Sequence, residues 1–120
     1  MPTVLFVYGT LKRGHAAHDL LAGQRFLGPA VTAPRYRLVD LGPYPGLVHD
    51  EVSGLAVSGE LWEVTDEQLN ELDVFEGCPT LYRREAVEVM GAGRLVEAYF
   101  YARPVPPRAP TGAAWPMPVG

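Results

Sequence analysis

The chain has 120 residues, 48% of them hydrophobic and 20% charged, a balance that lets one domain bury a core and leaves too little chain for two. A net charge of −4 and a pI near 5.3, with ten dispersed basic residues, exclude electrostatic binding to nucleic acid or to an anionic membrane surface. The lone Cys78 forms no internal disulfide, no stretch reaches the roughly 18 apolar residues of a membrane span, and no basic-then-apolar leader opens the chain, so a reducing, cytoplasmic setting is expected.

Residues 3–8 form an apolar, β-rich run that stops at Gly9 and reads as a buried strand. Beyond it, Tyr8-Gly9-Thr10-Leu11-Lys12-Arg13-Gly14 offers backbone N–H groups, a hydroxyl and flexible glycines beside a possible helix start, which suits a carboxylate or another oxyanion. The spacing lacks the middle glycine of a dinucleotide fingerprint and the Lys-Ser/Thr pair of a phosphate loop. Taken alone, a glycine after a strand is more often plain turn geometry. Residues 15–22 place Ala17, Leu20 and Leu21 on one side before Gly23, the pattern of a short helix closed by glycine. His15 and His18 lack a third metal ligand and read as a solvent-facing pair, so no metal site is assigned.

From Gln24 to Val52, short apolar runs are punctuated by Gly28-Pro29, Pro34 and Gly42-Pro43-Tyr44-Pro45-Gly46, a rhythm of strands and tight turns. Residues 55–64 alternate as a strand. Thr65-Asp66-Glu67-Gln68 then matches a capping box, so a helix starts at Thr65. Residues 82–90 and 95–101, rich in Val, Tyr and Phe and joined by Gly91-Ala92-Gly93, read as a hairpin. Half of the twelve prolines fall between Pro104 and Pro118, dividing the chain into a domain over 1–103 and an extended tail over 104–120. The tail is expected to drape on the domain with Trp115 as anchor; the other reading is a proline-rich ligand for a partner domain.

Leu69, Leu72 and Glu76 are spaced i, i+3, i+7, so a helix that persists far enough turns Glu76 inward with the leucines. A carboxylate in apolar surroundings costs several kcal/mol unless paired or protonated, and its pKa rises toward the range of a proton shuttle. The pattern equally allows the helix to end near Phe75 with Glu76 in solvent or paired with Arg83 or Arg84. Those two arginines could orient a substrate carboxylate or pair with Glu85 and Glu88. Cys78 has no histidine close in sequence to activate it, and Pro79 suggests a turn, so it reads as structural.

Together, the Tyr8 to Gly14 motif, then Leu72-Asp73-Val74-Phe75-Glu76-Gly77-Cys78-Pro79, then Leu81-Tyr82-Arg83-Arg84 resemble the γ-glutamylcyclotransferase-like family, most closely its γ-glutamylamine cyclotransferase branch. The resemblance runs from about Val4 to Tyr101. It implies an α+β fold, a small mixed β-barrel with flanking short helices, and release of 5-oxoproline from γ-glutamyl compounds without a cofactor. Carried over by position, it makes Glu76 the general acid/base, Tyr8, Gly9, Thr10 and Leu11 the cradle of the glutamyl group, and Tyr82 a pocket wall. Family members often carry an asparagine shortly after the glycine loop where this chain has Ala17, which puts the contacts of the first helix in question.

The chemistry needs few parts, because a γ-glutamyl amide carries its own nucleophile: the α-amine closes on the γ-carbonyl once the bent conformer is held. Proton transfer is what the protein must supply. The expected partner is therefore a small γ-glutamyl molecule, not a nucleic acid or a membrane. The alternative class is a non-catalytic relative that binds a small carboxylate or a peptide in the same pocket. No heptad or extended apolar helix face speaks to oligomeric state.

Overall fold

A computed structural model describes residues 2–117 of the chain. Eight strands form one mixed sheet: β1 (Thr3–Val7), β2 (Arg25–Val31), β3 (Tyr36–Asp40), β4 (Pro45–His49), β5 (Ser58–Val64), β6 (Tyr82–Ala86), β7 (Glu97–Tyr101) and β8 (Thr111–Gly112). One α-helix, α1 (Asp66–Phe75), packs on the sheet, and a 3-10 turn spans His18–Leu21. The sheet runs β2-β5-β1-β7-β4-β3-β8, with β6 added on β7, and curls into a half-barrel. The architecture is thus α+β with mixed strand directions, β1 lying antiparallel to β5 and parallel to β7.

β1 is central because it is apolar on both faces, and the two-residue period of a strand splits its side chains between two cores. Val4, Phe6 and Tyr8 join Tyr36, Leu38, Leu47 and Phe100 on one face. Leu5, Val7 and Leu11 join Leu21, Trp62, Leu69, Leu72, Tyr82 and Tyr99 on the other. The second core is the one α1 covers, and each buried leucine of its inner stripe contributes about 1.5–3 kcal/mol. The sheet positions β1 so that its C-terminal turn faces the C-terminal end of α1.

Half of the capping box is realised at the start of α1. The Thr65 hydroxyl accepts from the Gln68 backbone N–H at 3.2 Å, but the Gln68 side chain donates to the Leu20 carbonyl at 2.6 Å, and Gln24 Oε1 takes the Thr65 N–H instead. The exchange ties the helix to the segment that follows the glycine loop. The expected helix over 15–22 is a single 3-10 turn, and no helix starts within the glycine loop. The expected hairpin is present as the antiparallel pair of β6 and β7, continued by the Val87 N–H to Val96 carbonyl bond; beyond it Val89 crosses to Thr32.

The proline-rich segment follows the sheet. The Asp40 N–H donates to the Pro110 carbonyl, β8 pairs with β3, and the Ser58 N–H donates to the Ala113 carbonyl, so residues 110–113 link β3 to the start of β5. Trp115 is partly buried against the first core, and its carbonyl accepts from Lys12 Nζ at 2.6 Å.

Candidate active site

The turn after β1 is shaped by close packing. A Cβ on Gly9 would stand 2.7 Å from Pro45 Cγ, so only glycine lets the chain pass the proline ring here. The Lys12 N–H folds back to the Gly9 carbonyl, and the Ala17 N–H donates to the Thr10 carbonyl, closing a compact loop. Among the described residues, the N–H groups of Gly9, Thr10 and Leu11 donate to no protein acceptor. Consecutive unfilled donors at a rigid strand end form a local site of positive potential suited to an anion.

The loop is fastened from outside by its two basic residues. The Arg13 backbone N–H and Nε both donate to the Glu60 carboxylate, at 3.1 and 3.3 Å, and its guanidinium lies 3.8 Å over the Phe26 ring. Lys12 reaches the tail carbonyl of Trp115. Both cations therefore point away from the cavity and act on the loop's shape.

Glu76 arrives from the other side. α1 ends at Phe75, and Glu76 is its C-cap residue with φ −79° and ψ −3°. Gly77, at φ +66°, lets the chain reverse: its N–H donates to the Val74 carbonyl and the Cys78 N–H to the Asp73 carbonyl, the two bonds of a Schellman motif. The helix thus stops where one reading of the sequence had it stop, yet Glu76 does not turn into solvent or pair with Arg83 or Arg84. Glu76 lines the cavity, and among the described residues no hydrogen bond or ion pair reaches its carboxyl. Burial without a partner pushes it up to about 7 from an ordinary 4.5.

The cavity between these walls measures about 550 Å³. Tyr8, Gly9, Thr10, Leu11, Glu76 and Tyr82 all line it, so residues separated by most of the chain share one space. The Tyr8 hydroxyl donates to the Tyr99 carbonyl at 2.6 Å and accepts from the Leu47 N–H, while the Tyr82 hydroxyl donates to the Pro45 carbonyl at 2.7 Å. Burial raises the pKa of both phenols, with the nearby Glu76 charge adding to the effect, and both stay neutral. Their hydroxyls are committed to backbone groups and fix the wall.

Tyr44, Leu81 and Tyr99 complete the apolar lining, with Ala16, Ala17, Asp19, Leu20 and Phe75 also facing the space. Sequence reasoning missed these, and only the Pro43-Tyr44-Pro45 turn carried a local signal. Ala17, the position that put the contacts of this segment in question, lines the wall. Among the described residues no Lys, Arg or His lines the cavity. Arg83 pairs with Glu85 at 3.2 Å on the surface, and Arg84 is taken up by Asp73 and Glu97, so neither is available to a substrate there; Glu88 pairs with Arg35. The two histidines are not a solvent-facing pair: His18 Nδ1 bonds the Leu11 carbonyl at 2.9 Å with its ring against Trp62, and His15 lies against Trp115. Cys78 sits in the turn after Glu76, its thiol pushed up to about 11 by burial, and is no nucleophile near neutral pH.

The profile of the family described as Gamma-glutamyl cyclotransferase, AIG2-like matches residues 5–116. The chain is 37% identical over 113 residues to the gamma-glutamylaminecyclotransferase of Rattus norvegicus, covering 82% of this chain and 76% of the rat protein. It is 40% identical over 93 residues to the protein of the same name from Homo sapiens, covering 72% of this chain and 61% of the human one. The crystal structure of an AIG2-like protein from Mus musculus shares the fold with a TM-score of 0.85 and 31% identity, over 95% of this chain and 88% of the mouse chain. Among the described residues no helix is long and apolar enough to cross a membrane. With the match running from the first strand into the closing tail, and so through both walls of the cavity, the chain belongs to the gamma-glutamyl cyclotransferase, AIG2-like family and is an enzyme of the cyclotransferase type.

Proposed function

We propose that the protein releases 5-oxoproline and a free amine from a γ-glutamyl amine or γ-glutamyl peptide, with Glu76 as the general acid/base. The observation that carries this reading is the unpaired carboxyl of Glu76, held near pKa 7 on the cavity wall that faces the free N–H groups of the glycine loop. A group that titrates near the working pH is present in both protonation states, as a proton shuttle must be.

The substrate's glutamyl end sits against the loop. Because no Lys, Arg or His among the described residues lines the cavity, the N–H groups of Gly9, Thr10 and Leu11 bind its carboxylate or the oxyanion of ring closure. Tyr8 and Tyr82 wall the bent chain so that the α-nitrogen approaches the γ-carbon. Ionised Glu76 takes a proton from the α-ammonium, and the neutral amine then attacks the γ-carbonyl. The new C–N bond closes the five-membered ring while the carbonyl electrons move onto oxygen. As the carbonyl re-forms, the bond to the departing nitrogen breaks and Glu76 returns the proton to it. The extra proton of the attacking nitrogen follows the same route, so the amine leaves as an ammonium. No protein nucleophile and no cofactor enter these steps.

The departing group occupies the outer cavity. A volume near 550 Å³ lies in the range of about 300–1,000 Å³ that whole small ligands fill, and the walls at Leu20, Phe75 and Leu81 suit a hydrocarbon chain. γ-Glutamyl derivatives of aliphatic amines fit this lining best. The test is a panel of γ-glutamyl alkylamines and γ-glutamyl amino acids, read by chromatography of 5-oxoproline. Catalytic release from at least one class is expected, and release from none would leave a non-catalytic carboxylate-binding relative.

A further inference from the structure

The stripe of Leu69 and Leu72 fixes the face that α1 turns to the sheet, but Glu76 lies beyond the last helical residue and needs its own fixing. One polar side chain of the last turn is heavily engaged. Asp73 accepts from Arg84 Nε at 2.9 Å and Arg84 Nη2 at 3.0 Å, a two-pronged fork, and from the Tyr99 hydroxyl at 2.6 Å. Arg84 in turn donates through Nη1 to Glu97 at 2.7 Å. Asp73 lies on α1, Arg84 on β6, and Glu97 and Tyr99 on β7, so the cluster bolts the end of the helix to two neighbouring strands. It touches the cavity as well: Tyr99 lines it, and the Tyr99 carbonyl accepts from the hydroxyl of Tyr8, the residue that follows β1. Asp73 also supplies the carbonyl that closes the reversal after Glu76.

We propose that Asp73, Arg84 and Tyr99 are positioning residues for the reaction, their shared network holding the end of α1 so that the Glu76 carboxyl stays aimed into the cavity. This rests on Glu76 being the acid/base. None of the three moves a proton; they act through the placement of Glu76. The fork requires a guanidinium, since a lysine ammonium supplies the charge but not two parallel N–H groups in one plane. Misplacing a catalytic group by about 1 Å can cost on the order of 100-fold in rate.

A loosened Glu76 would also meet water, and its pKa would fall toward the ordinary carboxylate range. The groups that face it are the hydroxyl of Tyr8, the residue after β1, the Tyr82 hydroxyl from β6 and the Cys78 thiol from the turn, all neutral at the pH of interest, while Asp19, which lines the same cavity from the 3-10 turn, is left unaltered by the substitutions tested. A fall in the apparent pKa therefore reports hydration of Glu76 and not the titration of a neighbour.

The experiment compares Arg84→Lys, Asp73→Asn and Tyr99→Phe with wild type and with Glu76→Gln, measuring kcat, KM and the pH profile of kcat/KM on a γ-glutamyl alkylamine, and the thermal midpoint. Arg84→Lys conserves charge, and Tyr99→Phe removes one oxygen and no charge. The expected result is a kcat roughly 10- to 100-fold lower for Arg84→Lys, with KM within about threefold, and an acid limb moved down by about one pH unit or more. Tyr99→Phe should move the same way by less. Wild-type kcat and acid limb in the folded variants would overturn the proposal whatever the thermal midpoint does. If Arg84→Lys fails to fold, Tyr99→Phe decides alone. Full activity of Glu76→Gln would instead sink the acid/base reading itself, which separates the two failures.

Discussion

Replacing Glu76 by Gln should stabilise the protein at alkaline pH while leaving acid stability almost untouched. The carboxyl titrates near 7 in the folded chain and near 4.5 when free, so between those values the folded state holds a proton that the unfolded state has released. Stability therefore falls as pH rises through this window, and above pH 7 the full penalty applies. A displacement from 4.5 to about 7 corresponds to about 3 kcal/mol. Gln has the same shape and no ionisation, so the variant escapes the penalty. Asp50, Glu60 and Asp73, held below the ordinary carboxylate range by their hydrogen bonds, act in the opposite sense but equally in both proteins, and cancel from the comparison. The assay is urea unfolding of wild type and Glu76→Gln at pH 4 and pH 8. The stability difference between the two proteins should grow by about 3 kcal/mol from the first pH to the second, or roughly 10 °C in thermal midpoint. A difference that stays flat, or reverses sign, would refute burial of an ionisable Glu76.

Other perturbations read the supporting structure. Gly9→Ala places a methyl 2.7 Å from the Pro45 ring, so it should cost about 1–3 kcal/mol in urea unfolding and raise KM by displacing the cradle. Gly77→Ala puts a side chain at φ +66° and 3.1 Å from Leu81 Cβ; a loss of about 1–2 kcal/mol and a fall in kcat exceeding any change in KM are expected. Ending the chain after Ala109 removes β8, the Ala113 carbonyl and the Lys12 contact, so the thermal midpoint should fall by several degrees and KM should rise. An unchanged midpoint would mean that the tail is not part of the fold's closure.

Much of the fold was legible because its elements are locally encoded. The doubly apolar run of β1, the Thr65 cap and the turn-punctuated strands before Val52 each follow from short-range rules. Pairings between distant segments were not legible. Nothing local says that Arg84 of β6 meets Asp73 of α1, that Tyr99 reaches the cavity, or that residues 110–113 lie between β3 and β5. The helix end shows the boundary most clearly. The i, i+3, i+7 stripe places Glu76 inward through a helix that in fact stops one residue earlier, and it is Gly77, with its left-handed φ, that reverses the chain. The inward direction came from the Schellman turn and from the opposing β1 loop, neither of which a helical period describes. The directions of the loop's basic side chains were not legible either: Lys12 and Arg13 turn outward, to Trp115 and Glu60.

The most direct measurement is the rate of 5-oxoproline release from a γ-glutamyl alkylamine by Glu76→Gln, made on protein whose circular dichroism matches wild type. Loss of a general acid/base predicts a fall in kcat of about 100- to 10,000-fold with substrate binding largely retained. Turnover within a few-fold of wild type would contradict the account.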